Sequence, residues 1–305
     1  MENQYKGFVS EIKNIIKTRN IREIDSVGFD ISNNYFEYKI YEFENYKSLN
    51  KECLGYETIQ LLDYIEKILR ISLCSVAKTN SNKKRINLIF SNRNYHDIKG
   101  FFNILKKQCS IYGFEEIIKL NNYLFEQNKE SSLYIFGYNI NEKTILNYKL
   151  YFMTRIEAHD ISDPYLYKYN NDVVLNYLYN FTFLKRLNII DSIKLLIDFN
   201  FADIHILALD FTKEKIIKVK VYLKFKNSDI DAVISTMKFE NYLDIKSLLL
   251  LNNVITQLKE IEDLITNLLA ICIDENGNIS FNFYSDFIKK YKDVEYLWNI
   301  KLLME

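Results

Sequence analysis

The sequence predicts an α+β fold in which ten antiparallel strands form a barrel surrounded by helices, within one domain spanning residues 1–305. Five pairs of segments alternate apolar and polar residues around a short polar turn, which is the pattern of a β-hairpin. Between the pairs, apolar residues recur every three to four positions, which indicates amphipathic helices. A closed barrel leaves no strand edge unpaired. An open sheet with helices on one face is the alternative.

The hairpins define the strands. Polar turn residues separate the two strands of each pair, as in Asn33-Asn34 and Glu275-Asn276-Gly277. The predicted pairs are Ser26–Ser32 with Tyr35–Phe43, Ile71–Thr79 with Arg85–Ser91, Ser132–Ile140 with Thr144–Arg155, Asp203–Phe211 with Lys215–Phe225, and Leu269–Asp274 with Asn278–Phe287.

Helical periodicity precedes and separates the hairpins. In the first such segment Phe8, Ile12 and Ile15 share one helical face. The predicted helices are Tyr5–Lys17, Thr58–Ile71, one from Asp97, Val174–Tyr179, Ser192–Asp198, about Ile245–Leu264, and one after the last hairpin. The chain has a single proline and no Ser/Gly-rich linker, so no domain boundary is visible.

Composition limits the classes of function. Lys+Arg and Asp+Glu both number 40, and this balance argues against a protein that binds nucleic acid or a membrane surface. The N-terminus lacks the apolar core of a signal peptide, and we expect a cytoplasmic monomer. The histidines show no metal-ligand spacing, so no metal site is expected. The four scattered cysteines are expected to be buried free thiols: Cys53, Cys74, Cys109 and Cys272.

The second strand of each hairpin carries its polar side chains on one face. These include Glu37, Lys39 and Tyr41; Arg85 with Asn87; Asn147, Lys149 and Tyr151; Lys218, Lys220 and Tyr222; and Asn282 with Tyr284. The opposite, apolar face must meet the helices, which places the polar face in the lumen. Ten strands should leave a cavity there. The same alternation is typical of any half-solvated strand, so the pattern alone leaves both interpretations open.

Such a lumen has a definite chemistry. Converging ammonium and guanidinium groups bind a polyanion such as pyrophosphate through charge-assisted hydrogen bonds. Tyrosine faces stabilise a cation by roughly 0.5–2 kcal/mol each. Together they suit a reaction that expels pyrophosphate and leaves a carbocation, with electrostatic stabilisation as the main contribution.

Five αββα units with the Lys-x-Tyr pattern on their second strands resemble the ABBA (PT-barrel) aromatic prenyltransferases. The resemblance implies transfer of a prenyl group from dimethylallyl or geranyl diphosphate to an electron-rich aromatic acceptor, namely an indole, a phenol or an aromatic residue of a peptide. It implies prenyl diphosphate as co-substrate and no tightly bound cofactor. At Lys39 the magnesium-dependent branch of the family has an aspartate and the metal-independent branch an arginine, so Mg²⁺ should not be required.

Carried onto this sequence, the resemblance assigns site residues. Diphosphate binding falls to Lys39, Arg85, Lys149, Lys218 and Lys220. The cation shield falls to Tyr41, Tyr151, Tyr222 and Tyr284. Asn87, Asn147 and Asn282 complete the lumen. Lys218-x-Lys220-x-Tyr222 comes one hairpin later than the matching motif of the family.

Two positions leave alternatives open. Asp30 lies near the place of a family glutamate that accepts the ring proton, so it is a candidate general base, or else it caps the hairpin. The second hairpin lacks a tyrosine at the usual place. Either Arg85 supplies a cation beside a thinner shield, or the acceptor occupies that side. Competing functions are a non-catalytic barrel that binds an anionic or amphipathic small molecule, and an open-sheet interaction protein.

Overall fold

The structure, a computed structural model, describes most of the chain. The described residues are 2–18, 24–48, 56–79, 84–91, 93–109, 114–128, 133–141, 144–156, 168–179, 188–226 and 230–287.

Ten antiparallel strands close into a barrel, because the first strand pairs with the last. The barrel strands are β1 (Ile24–Ser32), β2 (Tyr35–Phe43), β3 (Ile71–Thr79), β4 (Lys84–Phe90), β5 (Leu133–Asn141), β6 (Thr144–Met153), β9 (Ala202–Phe211), β10 (Ile216–Phe225), β11 (Leu264–Asp274) and β12 (Ile279–Phe287). A separate two-stranded sheet is formed by β7 (Arg155–Ile156) and β8 (Lys168–Tyr169). The predicted fold class is confirmed, and the open sheet is excluded.

Helices surround the barrel. Those in the described residues are α1 (Glu2–Thr18), α2 (Tyr56–Tyr64), α3 (Tyr95–Gln108), α4 (Phe114–Asn128), α5 (Asn171–Leu178), α6 (Ile189–Asp198), α7 (Ile230–Met237) and α8 (Ile245–Lys259). A π-helical turn, Ile65–Leu69, continues α2. Within this part of the chain, no helix combines the length and apolar character needed to cross a membrane.

The main core lies between the outer face of the barrel and the helices. On α1, the ring of Phe8 lies 6.0 Å from that of Phe29 and stacks at 5.3 Å on Tyr38. On α3, the ring of Phe101 lies 6.1 Å from Phe90 and 5.7 Å from Phe136. Because the apolar face of each strand is used here, the other face of the strand is left for the lumen.

Some elements differ from the sequence prediction. The helix expected over about Ile245–Leu264 ends at Lys259, and Leu264 begins strand β11. β11 places apolar side chains on both faces, including Leu268, Ala270 and Cys272 toward the lumen, so period-two alternation does not reveal its start. Helices α4 and α7 were not predicted. The expected C-terminal helix and the turn expected between Ile71–Thr79 and Arg85–Ser91 lie outside the described residues.

Candidate functional site

Strand register stacks the polar side chains of the second strands into layers across the lumen. The basic layer consists of Lys39, Arg85, Lys149, Lys220 and Asn282, one from each hairpin. Two residues further along each strand, and therefore on the same face, lies the tyrosine layer: Tyr41, Asn87, Tyr151, Tyr222 and Tyr284. The lumen therefore has an approximate fivefold repeat.

The first strands contribute one small residue per hairpin at this level. These are Gly28, Ala77, Gly137, Ala208 and Ala270. Each lies across the ladder from a member of the basic layer and from a member of the tyrosine layer; Ala208, for instance, faces Lys220 on β10 and Tyr151 on β6. A Cβ at Gly28 would lie 2.7 Å from the Phe283 carbonyl oxygen and 3.0 Å from Cδ1 of the Tyr284 ring. Small residues thus leave room for the long side chains opposite.

Four of the five positions in the tyrosine layer are aromatic, and their rings form an arc. Ring centroids lie 6.0 Å apart for Tyr41 and Tyr284, 5.8 Å for Tyr284 and Tyr222, and 6.1 Å for Tyr222 and Tyr151. At the fifth position the Asn87 carbonyl oxygen accepts a hydrogen bond of 3.4 Å from the Tyr151 hydroxyl. Burial raises the pKa of the Tyr151, Tyr222 and Tyr284 hydroxyls, so these rings are neutral.

A cavity of about 1080 Å³ extends from the hairpin-turn end of the barrel down to the basic layer. Its deeper wall includes Asp30, Arg85, Lys149, Lys220 and Asn282. Asparagine side chains are frequent nearer the mouth: Asn33, Asn139, Asn147, Asn188, Asn241 and Asn278. Each second strand begins at its hairpin turn, passes the basic layer and then reaches the tyrosine layer. The tyrosine layer is therefore farther from the mouth than the basic layer and lies beneath the cavity.

One side of the basic layer is charge-balanced. Lys39 Nζ lies 3.4 Å from Asp30 Oδ2 and 3.9 Å from Glu37 Oε2. Arg85 Nη2 donates to Glu37 Oε2 at 2.7 Å. Two cations thus face two carboxylates, and we refer to Asp30, Glu37, Lys39 and Arg85 as the balanced cluster. Asn282 adjoins it: its amide lies 2.8 Å from both Asp30 oxygens and donates to them when the NH₂ group is turned that way.

The other side is richer in positive charge. Asp210 Oδ2 lies 2.8 Å from Lys220 Nζ and 3.6 Å from Lys149 Nζ. Lys218 lies across the β9–β10 ladder from Asp210 and lines the cavity. Lys149, Lys218, Lys220 and Asp210 form the lysine cluster, in which three basic side chains lie around one carboxylate. Asp274, across from Lys218 on β11, instead accepts hydrogen bonds from the backbone of the 276–278 turn at the mouth.

Burial and neighbouring charge set the protonation of these groups. Burial alone would raise the pKa of Asp30 and Asp210, but the surrounding lysines outweigh it and lower both, so both carboxylates are ionised. Burial, reinforced by the charge of Arg85, lowers the pKa of Lys39 to about 8. Burial also lowers the pKa of Lys149, whereas the contact with Asp210 overcomes burial and raises the pKa of Lys220.

The structure brings the sequence-predicted residues together but leaves their roles as predictions. All of them belong to the two layers or the two clusters except Asn147, which lines the cavity near its mouth. Asp30 points into the lumen and contacts Lys39, which argues against its serving only as a hairpin cap. Sequence reasoning missed the carboxylates Glu37 and Asp210 as site residues. Both occupy lumen positions of period-two strands, and this signal could have identified them.

The lumen contains carboxylates and one cysteine among the residue types that can bind a metal ion. No group of three or more His, Cys, Asp or Glu residues within the described part of the chain could hold a metal ion. The described cysteines, Cys74, Cys109 and Cys272, are buried, and none of these three forms a disulfide. Cys272 lies in the lumen, where burial raises the pKa of its thiol.

Comparison with known proteins gives a fold. The sequence matches no protein-family model and no curated protein. Among solved structures, NotF prenyltransferase matches with a TM-score of 0.54 at 7% identity over 85% of this chain and 79% of its own. AnaPT from Neosartorya fischeri gives 0.53 at 9%, over 85% and 76%. The 5-dimethylallyl tryptophan synthase from Streptomyces coelicolor, in complex with DMASPP and Trp, gives 0.51 at 11%, over 88% and 80%.

The fold is that of the aromatic prenyltransferases. The predicted resemblance is thereby confirmed at the level of architecture. Identities of 7–11% carry no substrate or residue role across to this chain, so function has to be argued from the lumen itself.

Proposed function

We propose that the protein is an aromatic prenyltransferase, which transfers a prenyl group from a prenyl diphosphate to an electron-rich aromatic acceptor. The observation that carries the proposal is the stacking of two layers inside a closed barrel: a basic layer at the cavity floor, and an arc of four tyrosine rings directly beneath it. A prenyl diphosphate is an anion joined to an apolar allylic chain, and the two layers match its two parts.

The lysine cluster is the side of the lumen suited to the diphosphate. Three lysines lie around one aspartate there, whereas in the balanced cluster the basic groups and the carboxylates are equal in number. Charge-assisted hydrogen bonds from ammonium groups to phosphate oxygens are strong in a buried site. Lys39 and Arg85, already paired with carboxylates, should contribute less to binding the donor.

The reaction follows from this placement. The C–O bond of the donor breaks with its electron pair going to the diphosphate, whose growing charge the lysines stabilise. The allyl cation left behind meets the faces of the tyrosine arc, each of which stabilises it by roughly 0.5–2 kcal/mol. An acceptor ring carbon then attacks the cation, and the C–C bond forms. Loss of the ring proton restores aromaticity, so the products are the prenylated ring, pyrophosphate and a proton.

Asp30 is our candidate for the group that accepts that proton. It lines the cavity beside the basic layer and is held by Lys39 and Asn282. It is ionised because the lysines lower its pKa despite burial, so it is present as a base at neutral pH. The direct cross-strand neighbour of Asp30, Glu37, is turned toward Arg85 instead.

The acceptor should enter from the mouth. The cavity of about 1080 Å³ is larger than a C5 donor and a single aromatic ring need together. Its asparagine-rich upper wall can exchange hydrogen bonds with amide or hydroxyl groups of an acceptor. DMASPP and Trp occupy the Streptomyces coelicolor synthase, so dimethylallyl diphosphate and tryptophan are the first pair to test.

The test is a mass-spectrometric screen of C5, C10 and C15 prenyl diphosphates against tryptophan, tyrosine, simple phenols and short aromatic peptides. Each pair is assayed with Mg²⁺ and with EDTA. We expect a product heavier than the acceptor by one prenyl group, formed in both conditions, with equimolar pyrophosphate. Binding of donors without any product across the panel would instead favour a non-catalytic barrel that holds an anionic or amphipathic small molecule.

A further inference from the structure

Asp210 is a buried lumen carboxylate for which the proposed reaction has no use. It lies on β9, directly across from Lys149 on β6 and Lys218 on β10. Its Oδ2 contacts Lys220 and Lys149, while its Oδ1 is buried without a hydrogen-bond partner in the part of the chain described. The side chain lines the cavity. It therefore stands where an anion bound by these lysines would have to lie.

The charge of Asp210 affects the two lysines unequally. The contact of 2.8 Å overcomes the cost of burial for Lys220 and raises the pKa of that side chain. The longer contact of 3.6 Å does not do so for Lys149, whose pKa remains lowered by burial. One carboxylate is thus too little to neutralise the cluster, and the lysines retain a capacity for further negative charge.

We propose that Asp210 is the resident counter-ion of the lysine cluster: a positioning residue that holds Lys149 and Lys220 together in the empty barrel and limits how tightly a diphosphate is held there. The identity of the anion rests on the proposed function. In the empty barrel Asp210 offsets the mutual repulsion of the lysines. Once a diphosphate enters, the same carboxylate repels it, which favours release of pyrophosphate after each turnover.

This role and a purely structural ion pair predict opposite changes in anion affinity when Asp210 is removed. If Asp210 served only to order the lysines, its removal would scatter them and weaken anion binding. If it competes with the anion, its removal takes one negative charge out of the cluster and strengthens anion binding, because each buried charge acts through a low dielectric. The sign of the change separates the two roles.

The experiment is titration calorimetry of inorganic pyrophosphate into the full-length protein at fixed pH and ionic strength. We expect Asp210→Asn to bind pyrophosphate about tenfold more tightly than the unaltered protein, or better. The matched control is Asp203→Asn, on the same strand, where the carboxylate pairs with Lys226 at 3.0 Å. The control should stay within about twofold of the unaltered protein, because Asp203 is not part of the lysine cluster. Equal or weaker binding by Asp210→Asn overturns the proposal.

A second variant covers the possibility that three unpaired lysines prevent folding. Lys149→Gln with Asp210→Asn leaves fewer buried lysines without a carboxylate, and it is compared with Lys149→Gln alone. We expect the double variant to bind pyrophosphate about tenfold more tightly than Lys149→Gln, because Asp210 repels the anion in either background. Equal or weaker binding by a folded double variant would show that Asp210 supplies order and not charge, and the proposal would fail.

Failure of this inference and failure of the proposed function are distinguishable, because pyrophosphate binding needs no turnover. Tighter pyrophosphate binding by Asp210→Asn, combined with no product from any donor and acceptor, would support the counter-ion role and contradict the proposed enzyme activity. Prenyl transfer by the unaltered protein, combined with no gain in pyrophosphate binding by Asp210→Asn, would support the enzyme activity and contradict the counter-ion role. No pyrophosphate binding by either protein overturns the inference.

Discussion

The balanced cluster and the lysine cluster occupy the same lumen and use the same kinds of side chain, yet they differ in charge. In the balanced cluster Lys39 and Arg85 are matched by Asp30 and Glu37. In the lysine cluster, Lys149 and Lys220 contact Asp210, and Lys218 lies across the ladder from it. A pattern of Lys-x-Tyr on successive strands makes the hairpins look equivalent. The first strands, by supplying unequal numbers of carboxylates, make the two sides of the barrel different.

Because of this difference, a count of all the basic side chains in the lumen overestimates how strongly the lumen can bind an anion. A buried cation that already contacts a carboxylate gains less from a phosphate, since the new bond replaces an existing one. The excess charge lies on β6 and β10, whereas the candidate base lies on β1. The barrel thus separates the place where negative charge is received from the place where a proton is removed.

The largest effect should come from removing the lysine closest to Asp210. Lys220→Met lowers the charge of its cluster and leaves Asp210 to repel the donor, so we expect kcat/KM for the prenyl diphosphate to fall about 1000-fold. The matched change on the other side, Lys39→Met, should cost about tenfold or less. Steady-state kinetics with varied donor measures both, and circular dichroism checks that each variant is folded. Equal losses would abolish the distinction between the clusters.

Asp30→Asn should affect catalysis and spare donor binding. Without the base, loss of the ring proton slows, and we expect kcat to fall about 100-fold while KM for the donor stays within about threefold. Because its pKa is lowered by the lysines, Asp30 should stay ionised and kcat of the unaltered enzyme should not decline between about pH 8 and pH 6. A rise in donor KM with kcat unchanged would assign Asp30 to donor binding and contradict its role as the base.

A smaller effect is expected in the tyrosine layer, which serves both sides. Tyr222 is the ring between Tyr151 and Tyr284 in the arc. Tyr222→Phe keeps the aromatic face, so kcat should remain within about threefold. Tyr222→Ala removes one face and should lower kcat about tenfold, corresponding to one cation–π contact. Both variants are compared by kcat at saturating donor. A large loss of kcat in Tyr222→Phe would mean that the hydroxyl of Tyr222, and not its ring face, contributes to catalysis.

The assignment of faces was predictable from the sequence because it depends only on the local pleat. The side chain of Lys220 must point to the face of β10 opposite to that of Val219 and Val221, wherever β10 is placed in the sheet. The structure agrees. The closed barrel was likewise predictable from five similar hairpins. The boundary between α8 and β11 was not, because β11 is apolar on both faces and shows no alternation.

The pairing of charges could not be predicted in the same way. Asp210 meets Lys149 through the β6–β9 ladder, which joins two hairpins and depends on how the barrel closes. The small residue of each first strand was a signal that sequence reasoning passed over. Gly137 and Ala208, for instance, mark the level at which Lys149 and Lys220 fill the lumen. Asn87 stands at the tyrosine position of the second hairpin, as the sequence pattern indicated, and the paired strands place it across from Gly137.

The smallest expected effect is a pH dependence of stability that belongs to the balanced cluster. Burial lowers the pKa of Lys39 to about 8 from its ordinary value near 10.5, with the charge of Arg85 adding to the shift and those of Asp30 and Glu37 opposing it. Between these two pH values the unfolded chain binds a proton that the folded protein does not, so the free energy of unfolding should rise with pH, by at most about 1.4 kcal/mol per unit. Below about pH 8 both states are protonated and this contribution is flat. Denaturant unfolding of the unaltered protein and of Lys39→Met between pH 7 and about pH 9.5, before the tyrosines titrate in the unfolded chain, should show the rise in the first and a flatter profile in the second. Parallel profiles would mean that Lys39 is not the group whose titration causes the rise in stability.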